Sequence, residues 1–210
     1  FFDYESDYIK KSKNVLAGLQ KTGKLFKDKE NRMVLDLKNT GVEGKMKSPV
    51  LVLTRNDGTG LYPLRDIAYT LDKMKKAKKN FIVLGEDQKL YFEQIKESLK
   101  LLKFPFPHVI HYSFILLSEH GKSKKMSTRK GDVVLLSDFL KEAVKKAEKE
   151  IKNRSSKGNP EKVGIGAVKY AILKNSPNKI INFNLEDALS FEGDTGPYLL
   201  YSYARANSIT

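Results

Sequence analysis

The densest set of chemically able side chains lies at 121–131, where Lys122, Lys124, Lys125, Arg129 and Lys130 alternate with Ser123, Ser127 and Thr128 between Gly121 and Gly131. Cations and hydroxyls on a glycine-bounded segment after a strand can clamp a polyphosphate and stabilise charge that grows on a leaving group. Composition alone gives equal weight to a solvated basic surface loop. A second set is Tyr62 and Asp66, four apart at the start of a predicted helix, so that both face one side, at the carboxyl edge of a sheet where ligands of such folds bind. A carboxylate there can make a two-pronged pair with a guanidinium. On the residues alone, an ordinary surface pair of Asp66 with Arg65 or a nearby Lys is the plainer reading. Tyr4-Glu5-Ser6 offers another carboxylate at the carboxyl end of a strand-like segment. Gln88 stands where a strand turns into a helix and fresh backbone N–H groups meet a ligand, although a solvated helix start is the ordinary role of such a Gln. Glu86 and Asp87 are acidic where a phosphate would sit, which favours an amino acid or a ribose there.

The elements that must position these groups follow from periodicity and punctuation. Ser6 or Asp7 can cap a helix to about Lys21, with Tyr8, Val15, Leu16 and Leu19 as its buried stripe. Residues 25–37 alternate around a polar centre and predict a β-hairpin. Residues 50–53 form a short apolar run ending in the turn Asn56-Asp57-Gly58, and Pro63 suits the first turn of a helix with Leu64, Ile67, Ala68, Leu71 and Met74 on one face. Residues 81–84 predict a strand, followed by a helix carrying Phe92, Ile95, Leu99 and Leu102, and 111–117 a further strand. Strand and helix in alternation predict an α/β fold with a parallel sheet. After the short run 133–136, Ser137 can cap a long helix with Phe139, Leu140, Val144, Ala147 and Ile151 at core spacing. Residues 152–160 make the best linker, and the remainder predicts helices, one opened by a capping box over Asn184 to Asp187.

The 210 residues are 40% hydrophobic and 30% charged, a balance that supports a packed core rather than disorder. A formal charge of +14 favours a polyanionic partner, nucleic acid first, over a merely Lys-rich solvated surface. The absence of Cys excludes disulfides, thiolate zinc sites and Cys nucleophiles, and with only His108, His111 and His120 no metal site is expected. No apolar run approaches the roughly 20 residues of a membrane helix, and Phe1-Phe2-Asp3-Tyr4-Glu5 is no signal peptide, so a cytoplasmic protein is expected. Opening on an apolar segment without Met, the chain is expected to be a fragment.

The order of residues narrows this further. Lys125-Met126-Ser127-Thr128-Arg129-Lys130-Gly131 resembles the arginyl variant of the Lys-Met-Ser-Lys-Ser loop of class I aminoacyl-tRNA synthetases. Asn56-Asp57-Gly58-Thr59-Gly60-Leu61-Tyr62-Pro63-Leu64-Arg65-Asp66-Ile67-Ala68 is similar to that family's Asp-Gly-Thr, Tyr, Arg-Asp-Ile-Ala run, and Phe2-Asp3 with Glu5-Ser6 to its Phe-Asp and Glu-Ser segment. Residues 83–94, around Gln88, match again. Phe191-Glu192-Gly193-Asp194-Thr195-Gly196-Pro197-Tyr198 resembles the junction between the catalytic and anticodon-binding domains. The motifs stand in the family's order and span nearly the whole chain, with 10–48 as the weakly matching stretch.

The resemblance implies the second half of a Rossmann-like class I nucleotide-binding domain over 1–153, then a helical connection and the start of an anticodon-binding helical domain over 154–210. It implies ATP-dependent activation of L-arginine and its transfer to the 3′ end of tRNA(Arg), with Mg²⁺ accompanying ATP as substrate. Glu5 and Asp66 would hold the guanidinium, and Tyr62 and Gln88 would hydrogen-bond the amino acid. Lys125, Met126, Ser127, Arg129, Lys130 and Gly131 would bind ATP, with Lys125, Ser127 and Lys130 acting in catalysis. Tyr198 and Tyr201 at helical spacing read as core first, which leaves Arg205 as the expected tRNA contact. A monomer is expected. None of the three His lies in the family's His-Ile-Gly-His element, so this chain alone is expected to be inactive. The competing readings are a non-catalytic basic RNA-binding module of the same ancestry, and another class I synthetase or nucleotidyltransferase that would keep the Lys125 loop without pairing Glu5 and Asp66.

Overall fold

The computed structural model describes residues 2–119, 122–124 and 135–209. The chain forms two compact units, Phe1–His111 and Tyr112–Thr210.

In the first unit, helix α1 (Asp7–Gln20) buries Tyr8, Val15 and Leu19, as its stripe predicts. Ser6 precedes it in a helical conformation and makes no side-chain cap. Strands β1 (Leu25–Lys27) and β2 (Met33–Asp36) form the predicted antiparallel hairpin, with Leu25 opposite Leu35. The turn is held by Asp28, whose carboxylate accepts from the Arg32 Nε–H at 2.8 Å. Strand β3 (Val50–Val52) forms where expected but joins this sheet, antiparallel to β2, with Val34 opposite Val52. A short apolar run records burial and not the direction of the neighbour it pairs with.

Helix α2 (Tyr62–Lys76) packs Leu64, Ile67 and Ala68 into the core. Strand β4 (Phe81–Gly85), a single 3-10 turn (Glu86–Gln88), helix α3 (Lys89–Leu101) and strand β5 (His108–Tyr112) follow, with β4 and β5 hydrogen-bonded neighbours. Phe92, Ile95 and Leu99 of α3 are buried. One apolar core ties α1, the three-stranded sheet, α2 and α3 together.

In the second unit, β6 (Ile115–Glu119) lies between β7 (Lys122–Lys124), antiparallel, and β8 (Ile181–Phe183), parallel. Helix α4 (Leu136–Asn153) begins one residue before Ser137, after an extended Leu135, so Ser137 is inside the helix and not its cap. Helix α5 (Pro160–Leu173) is capped by Asn159, whose side chain accepts from the Lys162 N–H. The predicted cap at Asn184 opens α6 (Leu185–Ala188) by accepting from the N–H groups of Glu186 and Asp187. Thr195 caps α7 (Gly196–Asn207). Ala143, Ala147, Ala167, Val168, Phe183 and Leu185 are among the residues that form the core.

Candidate functional site

The loop 53–61 delivers the start of α2. Asp57 Oδ1 accepts from the Thr59 N–H at 2.8 Å, a bond that holds its carboxyl below the usual range. Gly58 turns with φ +82°, a conformation that favours Gly. Thr54 and Gly60 then close an antiparallel bridge, and an extended Leu61 leads into α2 with Pro63 in its first turn. This fixes Tyr62 and Asp66 on one side, a helical turn apart.

Those two residues meet the segment 3–8 around a cavity of about 220 Å³, lined by Asp3, Tyr4, Glu5, Tyr8, Tyr62, Arg65, Asp66 and Tyr69. Three carboxylates and four aromatic rings form most of its wall, a combination suited to an organic cation, which gains from both charge and ring faces. Glu5, Tyr62 and Asp66, expected from sequence to act together, are thus brought to one cavity although Glu5 lies 57 residues before Tyr62 and 61 before Asp66. Gln88 is not in this wall. It lies in the 3-10 turn, exposed, with its amide donating to Asp87 Oδ2 at 3.4 Å.

Each carboxylate is engaged by a partner in the chain. The Arg65 Nε–H donates to Glu5 Oε1 at 2.5 Å, while Arg65 Nη1–H donates to the Gly60 carbonyl at 2.7 Å. Asp66 therefore does not take the surface pair with Arg65; its Oδ2 accepts from the Tyr91 hydroxyl of α3 at 2.6 Å. Burial first, and then this bond, push the Tyr91 hydroxyl well above the ordinary phenol range, so it keeps its proton. Asp3 pairs with Lys76 at 3.2 Å. Burial draws the Lys73 ammonium below its ordinary range, and it lies 4.2 Å from the centre of the Tyr69 ring.

The floor is rigid. Tyr8 donates to Asp72 Oδ2 at 3.0 Å, and its ring meets that of Tyr69 edge-on at 5.0 Å. Burial and Asp72 push the Tyr8 hydroxyl up to about 12. Tyr62 packs on Tyr91 with ring centres 5.3 Å apart. Sequence reading missed Arg65 as the partner of Glu5, and Tyr91 as the partner of Asp66. Tyr91 sits inside the motif around Gln88, but nothing in its spacing points 25 residues back.

A larger cavity of about 780 Å³ opens between α1, α2 and the end of α3, with Lys11, Lys21, Lys75 and Lys103 at its edge. It contains none of the residues expected to act. In α7, Tyr198 and Tyr201 are about half exposed and so are not the core residues their spacing suggests. Arg205 donates from Nη1 to the Tyr201 hydroxyl at 2.9 Å. The expected phosphate clamp, Lys125, Met126, Ser127, Arg129, Lys130 and Gly131, lies outside the described residues.

The model of one family, described as tRNA synthetases class I (R), catalytic domain, matches residues 3–186. The chain belongs to this family of class I synthetase catalytic domains. Its branch is the arginyl one. The arginine–tRNA ligase of Methanocaldococcus jannaschii is 42% identical over 211 residues, covering 99% of this chain and 35% of the relative. That of Methanococcus aeolicus is 40% identical over 97% of this chain and 35% of its own length. Among solved structures, Thermus thermophilus arginyl-tRNA synthetase superposes with a TM-score of 0.77 at 27% identity, over 94% of this chain and 39% of that one. The expected α/β class I synthetase fold is thereby borne out. The chain spans about a third of the length of the curated relatives it matches.

Proposed function

We propose that this chain is the amino-acid-recognition and phosphate-clamp portion of an arginyl-tRNA synthetase. Its complete form activates L-arginine with ATP and transfers the arginyl group to the 3′ end of tRNA(Arg). The observation that carries the reading is the convergence of Glu5, Asp66 and Tyr62 on one acidic, aromatic-walled cavity. Two carboxylates suit a planar, delocalised cation better than the compact ammonium of lysine, because a guanidinium offers paired N–H donors in a fixed fork.

In the reaction, the arginine carboxylate attacks the α-phosphorus of ATP and pyrophosphate leaves. A terminal ribose hydroxyl of the tRNA then attacks the arginyl carbonyl and AMP leaves. Glu5 and Asp66 hold the guanidinium, Tyr62 contacts the rest of the amino acid, and Gln88, which lies outside the cavity wall, meets the part of the amino acid that projects beyond it. Lys125, Ser127 and Lys130 stabilise charge on the departing pyrophosphate, with Met126, Arg129 and Gly131 completing the ATP contact and Mg²⁺ arriving with ATP. Catalysis then rests on positioning and electrostatics, with no protein nucleophile. Arg205 contacts tRNA, which the net charge of +14 supports.

Residues 1–153 are assigned to the catalytic domain and 154–210 to the helical connection and the start of the anticodon-binding domain. A cytoplasmic monomer fits this role, and among the described residues no helix is long and apolar enough to cross a membrane. The 210 residues contain no His-Ile-Gly-His element, so the chain by itself is inactive in arginine activation. Calorimetric titration with L-arginine and with L-lysine tests the site. Saturable binding of arginine, with lysine weaker, is expected; no heat with arginine, or equal binding of both, contradicts the reading.

A further inference from the structure

We infer that Tyr91 is a positioning residue for amino-acid recognition, acting through its hydrogen bond to Asp66 to set the plane of that carboxylate; this rests on the guanidinium reading of the site above. Tyr91 is not part of the cavity wall and its hydroxyl is bonded to Asp66, so it acts on a bound amino acid through that carboxylate. Its hydroxyl donates to Asp66 Oδ2 at 2.6 Å from a different helix, the distance of a strong, charge-assisted bond. A two-pronged guanidinium pair needs both carboxylate oxygens coplanar with the incoming N–H groups, and an Asp side chain turns freely about its last bond unless something holds it. One phenol bonded to Oδ2 supplies that hold and leaves Oδ1 and the second lone pair of Oδ2 for the ligand. The ring of Tyr91 is in turn held against Tyr62, itself in the cavity wall, at 5.3 Å and a tilt of 46°. The phenol keeps its proton because burial and the carboxylate both oppose ionisation, so it remains a donor to Asp66 at neutral pH. A helix-to-helix bond from outside the cavity therefore governs the geometry of the fork inside it.

The test uses this chain, its Tyr91→Phe variant, Asp66→Ala and the double variant, each titrated with L-arginine by calorimetry and melted to obtain Tm. Phe keeps the ring contact and removes only the donor. The expected result is arginine binding weakened about ten-fold in Tyr91→Phe, equivalent to ~1.4 kcal/mol, with Tm lowered but the chain still folded at the titration temperature. In the Asp66→Ala background the same substitution should change binding by less than about two-fold, because the group it positions is gone. Unchanged arginine binding in Tyr91→Phe, or an equal loss with and without Asp66, overturns the inference. Failure of the unsubstituted chain to bind arginine overturns the guanidinium reading itself, and that outcome is distinct because it appears before any substitution.

Discussion

The guanidinium of Arg65 rests on Glu5, with its Nε–H 2.5 Å from Oε1. The chain thus places one of its own arginines on a carboxylate proposed to receive arginine. Arg65 is anchored at its other end by the Gly60 carbonyl, so it fixes Glu5 by one oxygen and leaves Oε2 for a ligand. The added positive charge opposes this, but Glu5 is 65% exposed and that repulsion is screened by water and salt. Holding the side chain is therefore expected to be the larger effect.

Arg65→Met should accordingly weaken arginine binding, by roughly three- to ten-fold if the lost order of one long side chain is worth about 1 kcal/mol. Calorimetry at physiological salt measures it. Tighter binding in the variant would show that Arg65 competes with the ligand rather than preparing its site.

Stability at high pH should depend on Tyr8. Its hydroxyl is raised from 10.0 to about 12 by burial and by Asp72. A group with a raised folded-state pKa favours folding while it is protonated, so its contribution is complete below pH 10 and is lost as pH rises toward about 12. The Tm of the chain should fall more steeply over that window than the Tm of Tyr8→Phe. Parallel curves for the two would remove Tyr8 as the cause.

Asp72 gives the opposite limb. Lys11 and Tyr8 hold its carboxyl below the ordinary range, so it stabilises the fold above the unfolded-state value and that contribution is lost as the folded form is protonated in acid. Asp72→Asn should flatten the acid side of the Tm profile while leaving neutral pH behaviour closer to the parent. An unaltered acid limb would count against the Tyr8–Asp72–Lys11 cluster.

In the second unit, α4 and α5 approach so closely at Gly164 that a Cβ there would lie 2.9 Å from the backbone of Ala143. Backbone cannot move aside as a flexible side chain can. Gly164→Ala should destabilise by roughly 1–3 kcal/mol despite the better helix propensity of Ala. Denaturant melts measure this, and a gain in stability would contradict the close packing.

Much of this architecture was legible because it is local. The stripe Tyr8, Val15, Leu19, the hairpin at 25–37, the helix opening at Tyr62 and the Asn184 cap all depend on residues a few positions apart, and each formed. Glu5, Tyr62 and Asp66 were legible as a set through ordered motifs, not through any periodicity that links position 5 to position 66. What stayed hidden was non-local. The direction of β3 is decided by its neighbour β2. The partners Arg65 for Glu5 and Tyr91 for Asp66 are decided by how α1, α2 and α3 pack. Ser137 looked like a cap, yet the chain is already helical at Leu136, and a Ser near a helix start reports that a cap is possible without fixing which residue supplies it. The exposure of Tyr198 and Tyr201 escaped for a related reason: helical spacing defines a face without saying what covers it.

Glu5 and Asp66 are proposed to make together a site for a guanidinium. The most direct test is calorimetric comparison of L-arginine with L-lysine on the chain, Glu5→Gln and Asp66→Asn, substitutions that keep shape and remove charge. The expected result is at least about ten-fold preference for arginine in the chain, lost in Asp66→Asn and reduced by a smaller factor in Glu5→Gln, because Glu5 is 65% exposed and its charge is screened. Arginine binding that persists undiminished in both variants would contradict it.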